Sequence, residues 1–246
     1  CIPFANKTLQ NYLLLACDGS DVNISLNPDD EETYIHEGEK GYNALHLNAL
    51  YDLLNLTYTD IIFQGKKKLH ERAAFNTMVD RYHGRPAIFI ADRGYESFNT
   101  FAHVIRSQNK FLIRMKDISS NGILSAYDLP DDEFDTFIRT TLTYRHTKET
   151  LGSPQIYTVL PPGTDFDYLD DSCKYFSISF RIVRFRVADK FVCVATNLPE
   201  DEFPPESLKY IYRLRWGEEN SFRDLKYTIG LVNFHSKKKE FIYQEV

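Results

Sequence analysis

Three carboxylates occupy positions where a metal-binding acid is useful. Asp18 follows the apolar run Leu13-Leu14-Leu15-Ala16-Cys17, Asp92 follows Ile88-Phe89-Ile90-Ala91, and Glu219 sits in a charged segment near the C-terminus. A carboxylate at the end of a buried strand is anchored by backbone on one side and faces a crevice on the other. Gathered together, such groups repel one another until a hard divalent cation joins them, and an oxygen-only donor set suits Mg²⁺ or Mn²⁺. Taken singly, either aspartate could equally well open a turn.

The residues around Glu219 are patterned. At about 100° per residue, Tyr212, Arg215, Glu219 and Lys226 fall on one narrow stripe of a helix, next to an apolar stripe of Ile211, Leu214, Phe222, Leu225 and Ile229. Such a row can set a metal-binding carboxylate between phosphate-binding cations and a phenol. The same spacing also describes a solvated amphipathic helix with an Arg215–Glu219 ion pair four residues apart. Glu218 falls inside the apolar stripe, where an unpaired carboxylate is destabilising.

The elements that must position these groups can be read from the pattern of apolar residues. Strands are predicted at Tyr12 to Cys17, stopping at the turn-like Asp18-Gly19-Ser20, then at Ala44 to Leu54 and Tyr58 to Gln64. A helix follows at Glu71 to Tyr82, a strand at Ala87 to Ala91, a helix at Phe98 to Gln108 and a strand at Phe111 to Met115. From 117 to 198 helical periodicity fades, and β-branched and aromatic runs alternate with turns. One long helix is predicted from just after Pro204-Pro205 to about Ile229. The expected architecture is α/β, with a core in two parts (1–116 and 199–246) separated by a β-rich insertion at 117–198.

Composition excludes several classes. With 43% hydrophobic and 26% charged residues, the 246-residue chain is ordinary for a globular protein, and no apolar run approaches membrane-spanning length. Cys1, Cys17, Cys173 and Cys193 form no C-x-x-C pair, which favours free thiols in a reducing cytoplasm. No secretory signal is present, and the missing initiator Met suggests a piece of a longer protein. The net charge of −6 counts against a nucleic-acid partner, but the acid is concentrated at 29–32 and 128–135 while the segment after Ser207 is mostly basic. Arg181, Arg184 and Arg186, on a predicted strand, are candidates for a DNA-contacting patch.

Together these motifs resemble the IS4-type insertion-sequence transposases of the DDE family. The helix carries Tyr212, Arg215, Glu219 and Lys226 in the spacing Tyr-x2-Arg-x3-Glu-x6-Lys, Asp18-Gly19-Ser20 resembles the first-aspartate motif, and Asp92-Arg93-Gly94-Tyr95 the second. The resemblance runs from about Tyr12 onward. It implies an RNase H-like mixed sheet flanked by helices, with a β-rich insertion before the last catalytic helix. By the same resemblance Asp18, Asp92 and Glu219 would be the catalytic metal ligands for two Mg²⁺ or Mn²⁺ ions. Tyr212, Arg215, Lys226 and Arg93 would bind DNA phosphates. The implied activity is metal-dependent cleavage of double-stranded DNA at transposon ends and transfer of the 3′-OH strand to target DNA, by a homodimer acting in the bacterial cytoplasm at the nucleoid. Some members stack an extruded base on a Trp of the insertion; Tyr157, Phe176 or Phe185 would have to substitute here. The alternatives are a catalytically inactive, transposase-derived DNA-binding protein and a stand-alone metal-dependent nuclease.

Overall fold

The computed structural model describes residues 7–36 and 40–227. Its strands are β1 (Leu13–Ile24), β2 (Tyr34–Ile35), β3 (Tyr42–Asp52), β4 (Thr57–Gly65), β5 (Ala87–Ala91), β6 (Lys110–Met115), β7 (Phe134–Thr143), β8 (Tyr157–Val159), β9 (Phe176–Val187) and β10 (Lys190–Thr196). The helices are α1 (Glu71–Asp80), α2 (Phe98–Arg106), α3 (Lys148–Gly152), α4 (Pro205–Leu214) and α5 (Trp216–Tyr227). Two compact units emerge: residues 1–83 with 213–246, and residues 84–212. Among the described residues no helix is long and apolar enough to cross a membrane.

In the first unit β1 and β4 both pair antiparallel with β3, and the short β2 adds to the start of β3. Leu14 to Cys17 are fully enclosed, as are Phe75, Met78 and Val79 of α1. Contrary to the sequence expectation, β1 does not stop at Asp18. It runs six residues further, because β3 pairs with it continuously from Asp18 opposite Ala49 to Ile24 opposite Asn43. A cross-strand ladder satisfies backbone N–H and C=O groups that a turn would leave to water. The turn chemistry of Asp18-Gly19-Ser20 is thereby overridden.

Gly19 has a separate reason to be glycine. A Cβ at that position would collide with the His46 imidazole and lie 2.9 Å from Glu71 Oε1. His46 is only 4% exposed. Its Nδ1 meets Asp21 Oδ1 at 2.6 Å and its Nε2 meets Glu71 Oε1 at 3.0 Å. Lys66 pairs with the other oxygen of Asp21. One imidazole therefore links β1, β3 and the first turn of α1. Burial acts to lower the His46 pKa, but the bonds to Glu71 and Asp21 outweigh it and hold the pKa above its ordinary value of 6.5. Glu71 is held below its usual range chiefly by the His46 bond. For Asp21 burial acts upward, and the bonds to Lys66 and His46 overcome it, so its pKa is lowered.

In the second unit β5 and β6 are parallel, β10 lies antiparallel between β6 and β9, β7 is antiparallel to β9, and β8 is parallel to β7. The region 117–198 contains β7 to β10 with one short α-helix, α3, and a 3-10 turn at Ile123–Ala126. Helix α2 begins at Ser97, whose hydroxyl accepts from the Asn99 amide, a standard cap. Its Phe101 stacks on Phe111 of β6 at 4.8 Å and meets Phe180 of β9 at 5.3 Å.

Two of the three arginines expected to face DNA are in fact interior. Arg181 is 0% exposed; its Nε donates to Asp135 Oδ1 at 2.6 Å and its Nη1 to the Phe203 carbonyl at 2.7 Å. Arg184 is buried against Asp117, with Nε 3.0 Å from Oδ1. Only Arg186 of the three is exposed. Of the aromatics considered for base stacking, Phe185 is buried and Phe176 packs against Phe166 and Tyr168 at 5.2 and 5.5 Å, while Tyr157 is half-buried near Tyr175.

The single closing helix of the sequence reading is two helices, interrupted at Arg215. Helical arithmetic carried across that break does not hold, so the four-residue stripe from Tyr212 to Lys226 is not one continuous face.

Two outcomes follow from the charged interior. Arg181→Ala leaves Asp135 and the Phe203 carbonyl without their partner, and urea melts should show a loss of about 3 kcal/mol or more. The raised His46 pKa gives stability that is complete below pH 6.5 and is lost as pH rises through the higher folded value; the lowered Asp21 and Glu71 values give stability that is lost in acid. The stability difference between wild type and His46→Gln should therefore peak at mildly acidic pH and shrink by about pH 9. A pH-independent difference would refute the imidazolium bridge.

Candidate active site

Asp92 lies immediately after β5, whose five residues are all buried. Its Oδ1 accepts the Gly94 amide at 2.7 Å, and its Oδ2 has no protein hydrogen-bond partner among the described residues. A Cβ on Gly94 would sit 3.0 Å from Asp92 Oδ1, so glycine there keeps the amide within reach. Tyr95, the last residue of this motif, is buried and fixes the turn to the core. Arg93 projects to solvent.

The Asp92 carboxylate opens onto a cleft of about 590 Å³ whose lining includes Arg93, Arg114, Lys116, Asp117, Phe191 and Cys193. Glu96 organises one wall. Its two oxygens accept the amides of Lys116 and Ile123, each at 2.6 Å. Asp117 is neutralised by Arg184, which also lies over the Phe191 ring at 3.9 Å. Burial acts to raise the Asp117 pKa, but Arg184 and the Ile118 amide outweigh it and lower it. The Cys193 thiol donates to Asp117 at 3.3 Å; burial first, then this carboxylate, pushes its pKa up to about 12. Cys193 is thus a protonated structural thiol with no nucleophilic character.

Asp18 and Glu219 belong to the first unit. Asp18 is half-buried on β1, with Oδ1 accepting the Gly19 amide at 2.8 Å. Helix α5, which carries Glu219, packs on β1. Its Phe222 ring lies 5.9 Å from Tyr58 of β4, and Ser221 donates to the Tyr58 hydroxyl at 2.5 Å. The element bearing the acid Glu219 is therefore seated against the strand bearing Asp18. Glu219 is 46% exposed at its side chain and accepts Arg215 Nη2 at 2.8 Å. Arg215 is buried, as is Tyr212 together with its hydroxyl. The side chains of Glu218 and Lys226 lie outside the described residues.

Among the described residues no three His, Cys, Asp or Glu side chains form a ready-made metal cage. The donor chemistry nevertheless fits a hard cation: Asp92 offers an oxygen without a protein partner among the described residues, and Glu219, half-exposed at its side chain, is a second oxygen donor. Sequence reasoning missed Glu96, Arg114 and the Asp117–Arg184–Cys193 cluster. No motif marks them, since their importance arises from pairing across strands.

The family model described as Transposase DDE domain matches residues 10–246. No curated protein sequence matches the chain. Among solved structures, a piggyBac transposase in a synaptic complex with hairpin DNA is similar in fold, with a TM-score of 0.50 at 7% identity, over 95% of this chain. The chain spans only 44% of that protein's length. This likeness agrees with mixed sheets flanked by helices in the RNase H-like manner, and the IS4-type resemblance is consistent with the matched family. With its sequence matched from residue 10 to the end, the chain belongs to the family of transposase DDE domains.

Proposed function

We propose that this chain is the catalytic domain of a DNA transposase that cleaves DNA at transposon ends and transfers the 3′-OH strand to target DNA. Asp18, Asp92 and Glu219 are its metal ligands. The observation that carries the reading is Asp92: a carboxylate fixed through one oxygen by Gly94, with its other oxygen unpartnered among the described residues, opening onto a cleft lined by cations. A pair of Mg²⁺ or Mn²⁺ ions held by these acids would activate the attacking oxygen and stabilise the departing one.

The residues prepare for that chemistry. Gly94 orients the Asp92 carboxylate before any ligand arrives, so little reorganisation is needed. Arg215 pairs with Glu219 and compensates its charge, and in this reading its guanidinium would also serve a backbone phosphate beside that acid. Tyr212, Lys226 and Arg93 are the remaining phosphate ligands in this reading, and Tyr212 must become accessible to serve as one. A homodimer on paired DNA ends completes the assembly.

Calorimetric titration of Mn²⁺ into wild type should show saturable binding that Asp92→Asn abolishes without lowering the urea midpoint. Cleavage of a DNA substrate by the mutant should fall by about a thousandfold. Equal Mn²⁺ binding by the two proteins, or none by either, would overturn the assignment.

A further inference from the structure

Arg114 has no role in any motif, yet among the described residues it is the one arginine of the cleft whose side chain is both half-buried and without a partner. It sits on β6, opposite Val194 of β10, and lines the cleft with Asp92. Among the described residues its side chain makes no hydrogen bond or ion pair. The other interior arginines of this unit, Arg181 and Arg184, are fully engaged by carboxylates and carbonyls. A guanidinium partly withdrawn from water with no anion beside it is unfavourable, unless the missing anion is supplied by a ligand.

The surroundings are built for such a ligand. Arg93 and Lys116 add two more cations to the lining. Of the two acids in the lining, Asp117, next to Lys116, is already paired with Arg184, leaving Asp92 as the other. The wall carrying Lys116 is held in shape: Glu96 grips two of its amides, and the Lys116 ammonium donates to the Asn121 carbonyl at 3.2 Å. The chain as a whole is anionic at −6, so this cleft is a local exception to its far field.

We propose that Arg114, supported by Arg93 and Lys116, forms a subsite for a backbone phosphate of the DNA strand, next to the one attacked at Asp92. The planar guanidinium grips two phosphate oxygens at once, which fixes the register of the strand beside the acid. The subsite rests on the reading of Asp92 as a catalytic ligand, and its test separates the two.

The full chain is titrated against a short fluorescein-labelled duplex without divalent metal, by anisotropy, over about 50 to 200 mM salt. Arg114→Gln should weaken binding about tenfold and make the log–log salt slope shallower by about 0.9, the value of one phosphate contact. Arg114→Lys should keep the slope. Mn²⁺ binding by Asp92→Asn is read separately by calorimetry, so a failure of the metal reading shows apart from the salt slope of Arg114→Gln. Exposed Arg139, on β7 and away from the cleft, is the charge control. An unchanged slope in a folded Arg114→Gln, or an equal change in Arg139→Gln, would overturn the subsite. If Arg114→Gln does not fold, the Arg93→Gln/Lys116→Gln double variant carries the same expectation, and an unchanged slope there would overturn it equally.

Discussion

The guanidinium of Arg181 is shut off from solvent, and three segments depend on it: β9, which carries it, β7 through Asp135, and the turn ahead of α4 through the Phe203 carbonyl. A charge so placed is tolerable only while every partner stays in position, because loss of one leaves the other buried and uncompensated. The same rule governs the His46 bridge between Asp21 and Glu71 and the Arg184–Asp117 pair. In each, a charged group ties together elements far apart in sequence. The hydrophobic interior gives these units bulk; the paired charges give them a fixed arrangement.

That division of labour explains what could be read from sequence. Strand β5 and helix α2 lie close to where apolar periodicity puts them, since their pattern is strong and their ends are marked by Asp92 and Ser97. The β-rich texture of 117–198 was equally plain. Strand β1 was cut short because Asp18-Gly19-Ser20 has the composition of a turn, while the β3 ladder that extends it is a non-local fact. The break at Arg215 was invisible for a similar reason: residues on both sides favour helix, and only packing decides where the axis is interrupted.

Charged residues were the least legible. Arg181 and Arg184 looked like a surface patch because a sequence shows a charge without its partner, and Asp135 and Asp117 are 46 and 67 positions away. Arg114 gave the opposite difficulty, being conspicuous only once every other arginine inside its unit was seen to be satisfied. The proposed acids are conspicuous in the sequence through family spacing; of the three, only Asp92 stands at a strand end, while Asp18 lies within β1 and Glu219 on α5.

The contact between Gly19 and His46 has a consequence for how this sequence can drift. The imidazole occupies the volume that any side chain at position 19 would need. A larger residue at 19 is tolerable only if position 46 first becomes smaller, and a smaller residue at 46 strands Asp21 and Glu71 as neighbouring like charges. Neither site can change alone without passing through a less stable intermediate, so the two are bound to vary together or not at all. The glycine that follows the first aspartate is thus held by neighbouring bulk and charge, independently of any metal the aspartate binds.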